Sequence, residues 1–429
     1  MTRVTRRARY GFSLTLYLCG LVALAPSALA QDVTIEQLVT MALEQAPDLT
    51  TARTDIAVAA GQVTQAALRP NPEATAGHEQ GPWGMFTTTL GVDWPLDLFR
   101  QPARVATAQR SADVTSLALL DRERLVAATV RGQAGRVLAA RRTLEVTTEA
   151  LTVARRMREL LDRRVTEGNA TKLDVNLAAI EELRLDADAA LATGEVEAAS
   201  IELKGLVGLA SDAPLVLRGS LEEVVASPVG PFLTVAAAMS GRPDLRDAIA
   251  RIGLAEAGAE EARRVARPDV TLVAGYSRAQ FGFPQLGFDQ RGTPVPIRDT
   301  FHSVTIGAKV LLPVSNRSQG ALAVAQAERA GATALFSARR LAARAEIDAA
   351  VARERHALRA VELYATSVRD LARQNVEVRL EGYDLGRFPL LDVLNEQRRY
   401  LEVEAGYTEV LTRAYQAHVA VTRAFGEVP

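Results

Sequence analysis

Hydrophobic and polar positions change period along this chain, and they do so in the same order twice. Residues 98–166 contain no proline after Pro102, and residues 316–384 contain none. Within or beside these stretches Val130, Val137, Leu144 and Leu151 recur every seven residues, as do Leu394, Leu401, Thr408 and Tyr415. A seven-residue spacing is the seam of helices packed side by side. A helix that long would reach ~100 Å at about 1.5 Å per residue. Such a rod cannot be one layer of a globular domain and must pack against other rods.

Other segments alternate with period two. In "SVTIGAKVLLP" Val304, Ile306, Ala308, Val310 and Leu312 alternate with Ser303, Thr305, Gly307 and Lys309. In "FTTTLGVDWP" Thr88, Leu90, Val92 and Trp94 alternate with Thr87, Thr89, Gly91 and Asp93; "VTLVAGYS" gives Val270, Leu272, Ala274 and Tyr276. Segments of about ten residues with one apolar side match strands of a transmembrane β-barrel. Trp94, Tyr276, Phe281, Phe283 and Phe301 stand near strand ends, where aromatic girdles form. A soluble sheet lying on the helices would alternate equally well. Four strands cannot close a barrel, and open edges are not tolerated in lipid, so the strands must come from several chains.

Prolines and glycines show why the periods repeat. Pro95 and Pro313, Gln101 and Gln319, Gly168 and Gly386, Asp174 and Asp392, and Gly208 and Gly426 all share the offset 218. Upstream, Pro47 and Pro243, and Pro72 and Pro268, share the offset 196. The chain is a tandem duplication, roughly 34–210 and 232–428, with 22 extra residues in the second copy. The expected organisation is a leader at 1–30, a first repeat at 31–210 (strands about 72–95, helical hairpin tip about 167–173), a linker at 211–231, and a second repeat at 232–429 (strands about 268–313, tip about 384–391). The extra residues fall near Arg278 to Thr300. There Gly282, Pro284, Gly287, Gly292, Pro294 and Pro296 suggest an irregular hairpin loop.

Arg3, Arg6, Arg7 and Arg9 precede an apolar run from Gly11 to Ala25 and then "PSALA", the pattern of a secretory signal cut after Ala30. The single cysteine, Cys19, lies inside it and follows Leu18, which argues against a lipoprotein signal. A mature chain from Gln31 would have no cysteine for disulfides, thiol catalysis or metal binding. Its formal charge moves from −1 to −5, with 46 basic and 51 acidic residues, which does not suit a nucleic-acid binder. Aromatics make up only 5% of the sequence against 48% hydrophobic residues, a mix suited to long Ala/Leu/Val helices.

The four histidines, His78, His302, His356 and His418, lack metal-ligand spacing; only His78 and His302, both in strand segments, are candidates for a shared site. The acidic pairs Glu181–Glu182 and Glu260–Glu261 read as solvated helix faces. There is no phosphate-binding glycine loop, nucleophile elbow or triad pattern, so no enzyme and no cofactor are expected.

"TIEQLVTMALEQAPDLTTAR" (Thr34 to Arg53), "LRPNPE" (Leu68 to Glu73), the two Gly-x5-Asp-Val turns and "EGYDLGRFPLLDVLNEQRRYLEVEAGYTEVL" occur in order within the duplicated unit. On these the chain resembles the TolC-like outer-membrane efflux proteins over nearly its whole mature length. "RPNPE" and "WPLDLFRQPARVA" resemble the cobalt–zinc–cadmium metal-efflux branch. The resemblance implies a mainly α fold with transmembrane β: a homotrimer whose twelve strands form one outer-membrane barrel, continued by a long periplasmic α-helical barrel. It also implies a periplasmic membrane-fusion (adaptor) protein and an inner-membrane pump of resistance–nodulation–division type as partners, with outer-membrane lipid around the barrel.

Under that resemblance the glycine turns are hairpins at the periplasmic tip. Gly168, Asn169, Lys172, Gly386 and Arg387 then face the adaptor. Asp174, Tyr383, Asp392 and Asn395 form the aperture, with Tyr383 tying neighbouring helices and Asp392 narrowing the pore. Asn395 stands where some relatives carry a second aspartate, which weakens a charge ring. Either aspartate also suits a helix start, where a carboxylate meets the helix dipole. The expected function is the exit duct of a tripartite efflux system for heavy-metal cations or small toxic compounds. A type I protein-secretion duct and a non-pore periplasmic coiled-coil protein remain as alternatives.

Overall fold

The computed structural model describes residues 32–226 and 234–426; the expected leader and its cleavage site lie outside them. The first copy begins with β1 (Asp32–Val33), α1 (Ile35–Gln45) and α2 (Pro47–Ala67). Thr34 caps α1 reciprocally with Gln37, and Pro47 opens α2 at a position that needs no amide hydrogen. Strands β2 (Glu73–Gln80) and β3 (Phe86–Pro95) follow, then α3 (Gln101–Thr166), α4 (Lys172–Val207), β4 (Val216–Leu217) and α5 (Leu221–Ala226). The second copy runs α6 (Val235–Gly241), α7 (Pro243–Val265), β5 (Asp269–Phe288), β6 (Pro294–Leu311), α8 (Gln319–Leu363), a π turn (Tyr364–Val368), α9 (Arg369–Asp384) and α10 (Leu390–Phe425).

The segment expected as a linker is partly built into the body. β4 pairs in parallel with β1, and Leu217 and Leu221 join the main core. That core is where α1, α3, α4 and α10 meet: Val130, Val137, Leu138, Leu203, Val207, Leu411 and Tyr415. The heptad positions mostly point inward. Val130, Val137, Leu151, Leu394, Thr408 and Tyr415 are buried, and Leu144 and Leu401 half-buried. Gly135 is required there, because a methyl group would collide with the Tyr415 ring.

Four strands form one antiparallel sheet in the order β2-β3-β5-β6, so the two copies join between β3 and β5. Register places Trp94, Leu272 and Ala308 in one row, Val92, Ala274 and Ile306 in the next, and Leu90, Tyr276 and Val304 in the third. These residues share one face, which is apolar and exposed; Ile306 is 85% exposed. The opposite face carries Asp93 ion-paired with Lys309 and Ser277 hydrogen-bonded to Ser303. The helices join the sheet at the Glu73, Pro95, Asp269 and Leu311 ends of the strands, so both strand hairpins lie at the opposite end of the sheet from the rods.

The 22 extra residues form strand instead of an irregular loop. The β5–β6 ladder continues past a register shift between Gly282 and Leu286, with Pro284 inside the shift, and resumes as far as the Phe288–Pro294 pair. The turn is thereby reduced to residues 289–293. The bulge takes Pro284 and the turn takes Gly292, while Gly287, Pro294 and Pro296 stand within the ladder itself.

The rod from Gln101 is 66 residues of unbroken α-helix. Its counterpart from Gln319 to Asp384 has the same length but contains the π turn. Just past that turn, Arg369 lies 4.4 Å above the Tyr407 ring and grips Glu404 through two hydrogen bonds of 2.7 and 3.1 Å. Tyr364, in the turn itself, stacks on the same Tyr407.

Candidate functional site at the helical hairpin tips

Each rod reverses through a glycine in the left-handed region: Gly168 with φ 77° and Gly386 with φ 68°. Each closes with two backbone bonds back into the preceding helix. The Asn169 amide donates to the Arg164 carbonyl (2.7 Å) and the Gly168 amide to Val165 (3.0 Å); the Arg387 amide donates to Gly382 (2.8 Å) and the Gly386 amide to Tyr383 (2.9 Å). This is the Schellman closure that glycine permits without a Cβ clash. Gly168, Asn169, Lys172, Gly386 and Arg387 are all exposed at the tips, together with Leu173 and Leu385.

The returning helices start differently. At α4, Thr171 and Asp174 form a closed capping box: the Asp174 carboxylate accepts from the Thr171 amide (3.0 Å) and hydroxyl (2.7 Å), and the Asp174 amide donates to the Thr171 hydroxyl (3.2 Å). At α10 the capping position is Pro389, which has no side-chain acceptor and no amide hydrogen. Asp392 is therefore not engaged in a box. Its carboxylate is half-exposed and lies 3.6 Å from the Arg379 guanidinium. Asn395 is exposed on the same helix.

Tyr383 packs against a small core of Met157, Leu161, Ala178, Leu390 and Leu394, drawn from both hairpins. The Arg164 guanidinium of the first hairpin lies 5.5 Å over the Tyr383 ring and donates to the Asp384 carboxylate at 2.9 Å. The Asp384 hydrogen bond, assisted by Tyr383, raises the pKa of Arg164, which stays charged. In the second hairpin, Phe388 fills the space over Gly382, where a methyl group would strike its ring, and the Arg379 guanidinium lies over the Phe388 ring, 4.4 Å from its centre. Of the aperture candidates, the structure brings Tyr383 against the first hairpin and Asp392 against Arg379. It leaves Asp174 occupied as a cap. Arg164, Arg379, Asp384 and Phe388 were missed by sequence reasoning because their partners lie on other helices or across a turn. Only comparison of the copies hinted at them, since Arg164 aligns with Gly382 and Ala170 with Phe388 at the 218 offset.

Above the tips the reading of Glu181–Glu182 as a solvated face fails. Glu181 is buried and accepts from Arg184 of its own helix (2.6 Å) and from Arg398 of α10 (3.0 Å). Burial alone would raise its pKa, but the two arginines outweigh this and hold it below the ordinary carboxylate value. Glu182 pairs with Arg155 and Arg158 of α3. These acids face neighbouring rods, whose arginines the local sequence cannot reveal. Glu260 remains a surface partner of Arg263 and Arg264.

His78 and His302 occupy one row of the sheet, with Thr88 and Arg278 between them. Three strand spacings, ~14 Å, separate the two imidazoles, too far for them to share an ion within one chain. Among the described residues, no group of three or more His, Cys, Asp or Glu side chains is placed to hold a metal ion.

Comparison with known proteins agrees with this architecture. The family model described as "Outer membrane efflux protein" matches residues 38–209 and 235–427. The chain is 24% identical over 417 residues to the cobalt-zinc-cadmium resistance protein CzcC of Cupriavidus metallidurans, covering 95% of this chain and 93% of that one. Among solved structures, CusC is 17% identical, with 93% of this chain and 95% of that one covered and a TM-score of 0.75. The open-state MtrE outer membrane channel of Neisseria gonorrhoeae is 18% identical, with 92% and 89% covered and a TM-score of 0.73.

Proposed function

The chain belongs to the outer membrane efflux protein family, and on that premise we propose that three copies form the exit duct of a tripartite efflux system. The observation that carries the proposal is the sheet. It has an apolar face, a polar face and two unpaired edges, β2 and β6. Bare edges cannot stand in hydrocarbon, so neighbouring copies must supply the missing ladders. Three copies give twelve strands, within the range that closes a barrel, with the polar face inward as the pore wall.

The rods support the same assembly. α3 packs on α4 and α10, and α10 on α8 and α9, which leaves α4 and α9 as the two flanks. Both flanks are apolar and uncovered: Leu173, Ile180, Leu183 and Leu191 on α4, and Leu371 and Val378 on α9 with Leu385 just past its end, these three spaced by seven. These are seams for adjacent copies. Twelve rods around one axis make a tunnel that ends at the hairpin tips. There Tyr383 and Arg164 hold the second hairpin against the first, and Asp392 faces the aperture. A periplasmic adaptor engaging the exposed residues Gly168, Asn169, Lys172, Gly386 and Arg387 would deliver cargo from an inner-membrane pump of resistance–nodulation–division type.

Likeness to the cobalt-zinc-cadmium resistance protein favours heavy-metal cations as cargo. Two measurements test the reading. Detergent-solubilised protein should have three times the protomer mass by light scattering; a stable monomer would defeat the barrel. A deletion strain should become sensitive to cobalt, zinc or cadmium, and sensitivity confined to organic toxicants, or loss of a secreted protein, would reassign the cargo.

A further inference from the structure

The two faces of the sheet differ in charge as well as polarity. Strand register assigns Ala74, Ala76, His78 and Gln80 of β2, and Phe86 through Trp94 at alternate positions of β3, to the outward face. The same face carries Val270 through Gly282 of β5 and Arg298 through Val310 of β6 at alternate positions. No aspartate or glutamate occurs among these residues. The strand acids Glu73, Glu79, Asp93, Asp269 and Asp299 all fall on the opposite face, along with Lys309. Beyond its apolar rows the outward face instead carries Arg278 and Arg298, with His78 and His302 in the Arg278 row and the β5–β6 ladder continuing past Arg298 after the register shift.

The position of this cationic row follows from geometry. From Leu312 to His302 is ten residues, which at ~3.4 Å each and a tilt of ~40° gives a band about 26 Å tall, the thickness of an outer-membrane hydrocarbon layer. Because the helices leave from the Leu312 end, the Arg278 row lies at the outer surface, at headgroup level. The site is also shaped. The turn Pro82–Gly84 folds over β5, so that the Trp83 carbonyl sits where any side chain on Gly282 would be. Trp83 holds a left-handed φ of 56° and is 61% exposed, a strained conformation that keeps an indole out at the interface. Gln280 donates to the Gly84 carbonyl (3.1 Å), the Arg298 guanidinium lies across Gly84, and Arg278 lies 5.4 Å over the Phe86 ring. The Tyr276 hydroxyl and His302 Nδ1 are 2.6 Å apart, and His78 Nδ1 and the Thr88 hydroxyl 2.9 Å.

We propose that Arg278 and Arg298, framed by Trp83, Phe86 and Tyr276, bind the phosphate groups of the anionic glycolipid that forms the outer leaflet around the barrel. The proposal rests on the outer-membrane reading and adds a specific lipid to it. Guanidinium groups match phosphate in charge and in fork geometry. Aromatic rings flank the headgroup plane, and an acid-free face offers no repulsion. Three copies would set six such guanidinium groups around the barrel rim.

The test uses the purified full-length protein in neutral detergent, mixed with bisphosphorylated lipid A or with the same lipid after phosphate removal. Bound lipid is counted by native mass spectrometry. The wild type should retain the phosphorylated form. The double variant Arg278→Gln, Arg298→Gln should retain about tenfold less. The double variant Arg278→Lys, Arg298→Lys should recover most of the loss, and Lys309→Gln on the inner face should behave as wild type. Equal retention by the double glutamine variant, equal retention of the dephosphorylated lipid, or an equal loss with Lys309→Gln would overturn the proposal. Conductance of the double glutamine variant in planar bilayers separates the two levels. A conducting variant that ignores the phosphates, with wild type doing the same, rejects the lipid site alone, whereas a wild type that never conducts rejects the channel.

Discussion

Replacing Arg164 by alanine removes a side chain that joins the first hairpin to both Tyr383 and Asp384. Its ion pair with Asp384 is short, at 2.9 Å, but the two side chains are 30% and 52% exposed, so water and salt screen it. An exposed pair of this kind contributes about 0.5 kcal/mol. The guanidinium over the Tyr383 ring, 5.5 Å from its centre, adds about 0.5–1 kcal/mol at a partly solvated site. Each protomer thus gains about 1–1.5 kcal/mol from holding the second hairpin in place, close to a tenfold bias towards the held tip. Arg164→Ala should therefore raise open probability in planar bilayers by up to about tenfold per independently moving hairpin. Asp384→Asn should produce about half the free-energy change. Tyr383→Phe keeps the ring and should have a smaller effect than Tyr383→Ala. At 1 M salt, where the screening length falls to about 3 Å, wild type should approach Asp384→Asn. An open probability in Arg164→Ala equal to wild type at low salt would refute the tie.

Three further outcomes follow from the same geometry. Asp174→Ala should lower stability by about 1 kcal/mol in thermal unfolding without altering block by periplasmic divalent cations, whereas Asp392→Ala should weaken that block; equal effects on block would show that neither aspartate is special to the pore. Gly382→Ala should cost about 1–3 kcal/mol by forcing the Phe388 ring aside, and Gly382→Ala combined with Phe388→Ala should recover stability in the same unfolding assay. Glu181 has a folded-state pKa below its ordinary 4.5, so the stability it contributes is present above pH 4.5 and is lost as pH falls through the lower folded value; unfolding temperature should drop on acidification below 4.5, and less steeply in Glu181→Gln.

The parts of this fold that depend on periodicity were legible in the sequence. The alternation from Ser303 to Leu312 encodes which side of the strand meets lipid, and register puts the same set on one face. The proline-free stretches encode rods, and Gly168 and Gly386 mark the reversals because no other residue takes a positive φ so cheaply. What was illegible depends on pairing between distant segments. Glu181 reads as a surface acid until Arg398, 217 residues away, is seen beside it. The π turn at Tyr364–Val368 carries no proline or glycine, and the residues it packs against, Tyr407 and Glu404, lie on another helix. The strand continuing beyond Gly282 was hidden because glycine and proline suit a bulge as well as a loop.

The duplication explains why the two tips share a backbone but not a chemistry. A reversal needs only its glycine and the closing bonds, and both copies keep those. The surrounding positions are then free to diverge, and they do so in compensating pairs: Arg164 opposite Gly382, Ala170 opposite Phe388, Leu161 opposite Arg379, Thr171 opposite Pro389. The first tip is self-sufficient, with its own capping box and a buried Leu161, so it can spare Arg164 to grip its neighbour. The second tip has no side-chain cap, and its rod contains a π turn, where the α-helical hydrogen-bond ladder is broken. Its position rests on contacts between helices: Arg164 of α3 on Tyr383 and Asp384 at the tip, and above it Glu404 of α10 gripped by Arg369 of α9 and Arg142 of α3. The tie at the tip is partly exposed and weak enough to exchange, whereas Glu404 is buried between its two arginines and holds the rod above the tip. Under the proposed assembly, a force applied equally to both tips should therefore move the end of α9 and the start of α10 before it moves the first tip, and cross-linking Arg164→Cys to Asp384→Cys should suppress channel opening; opening unaffected by that cross-link would refute this order.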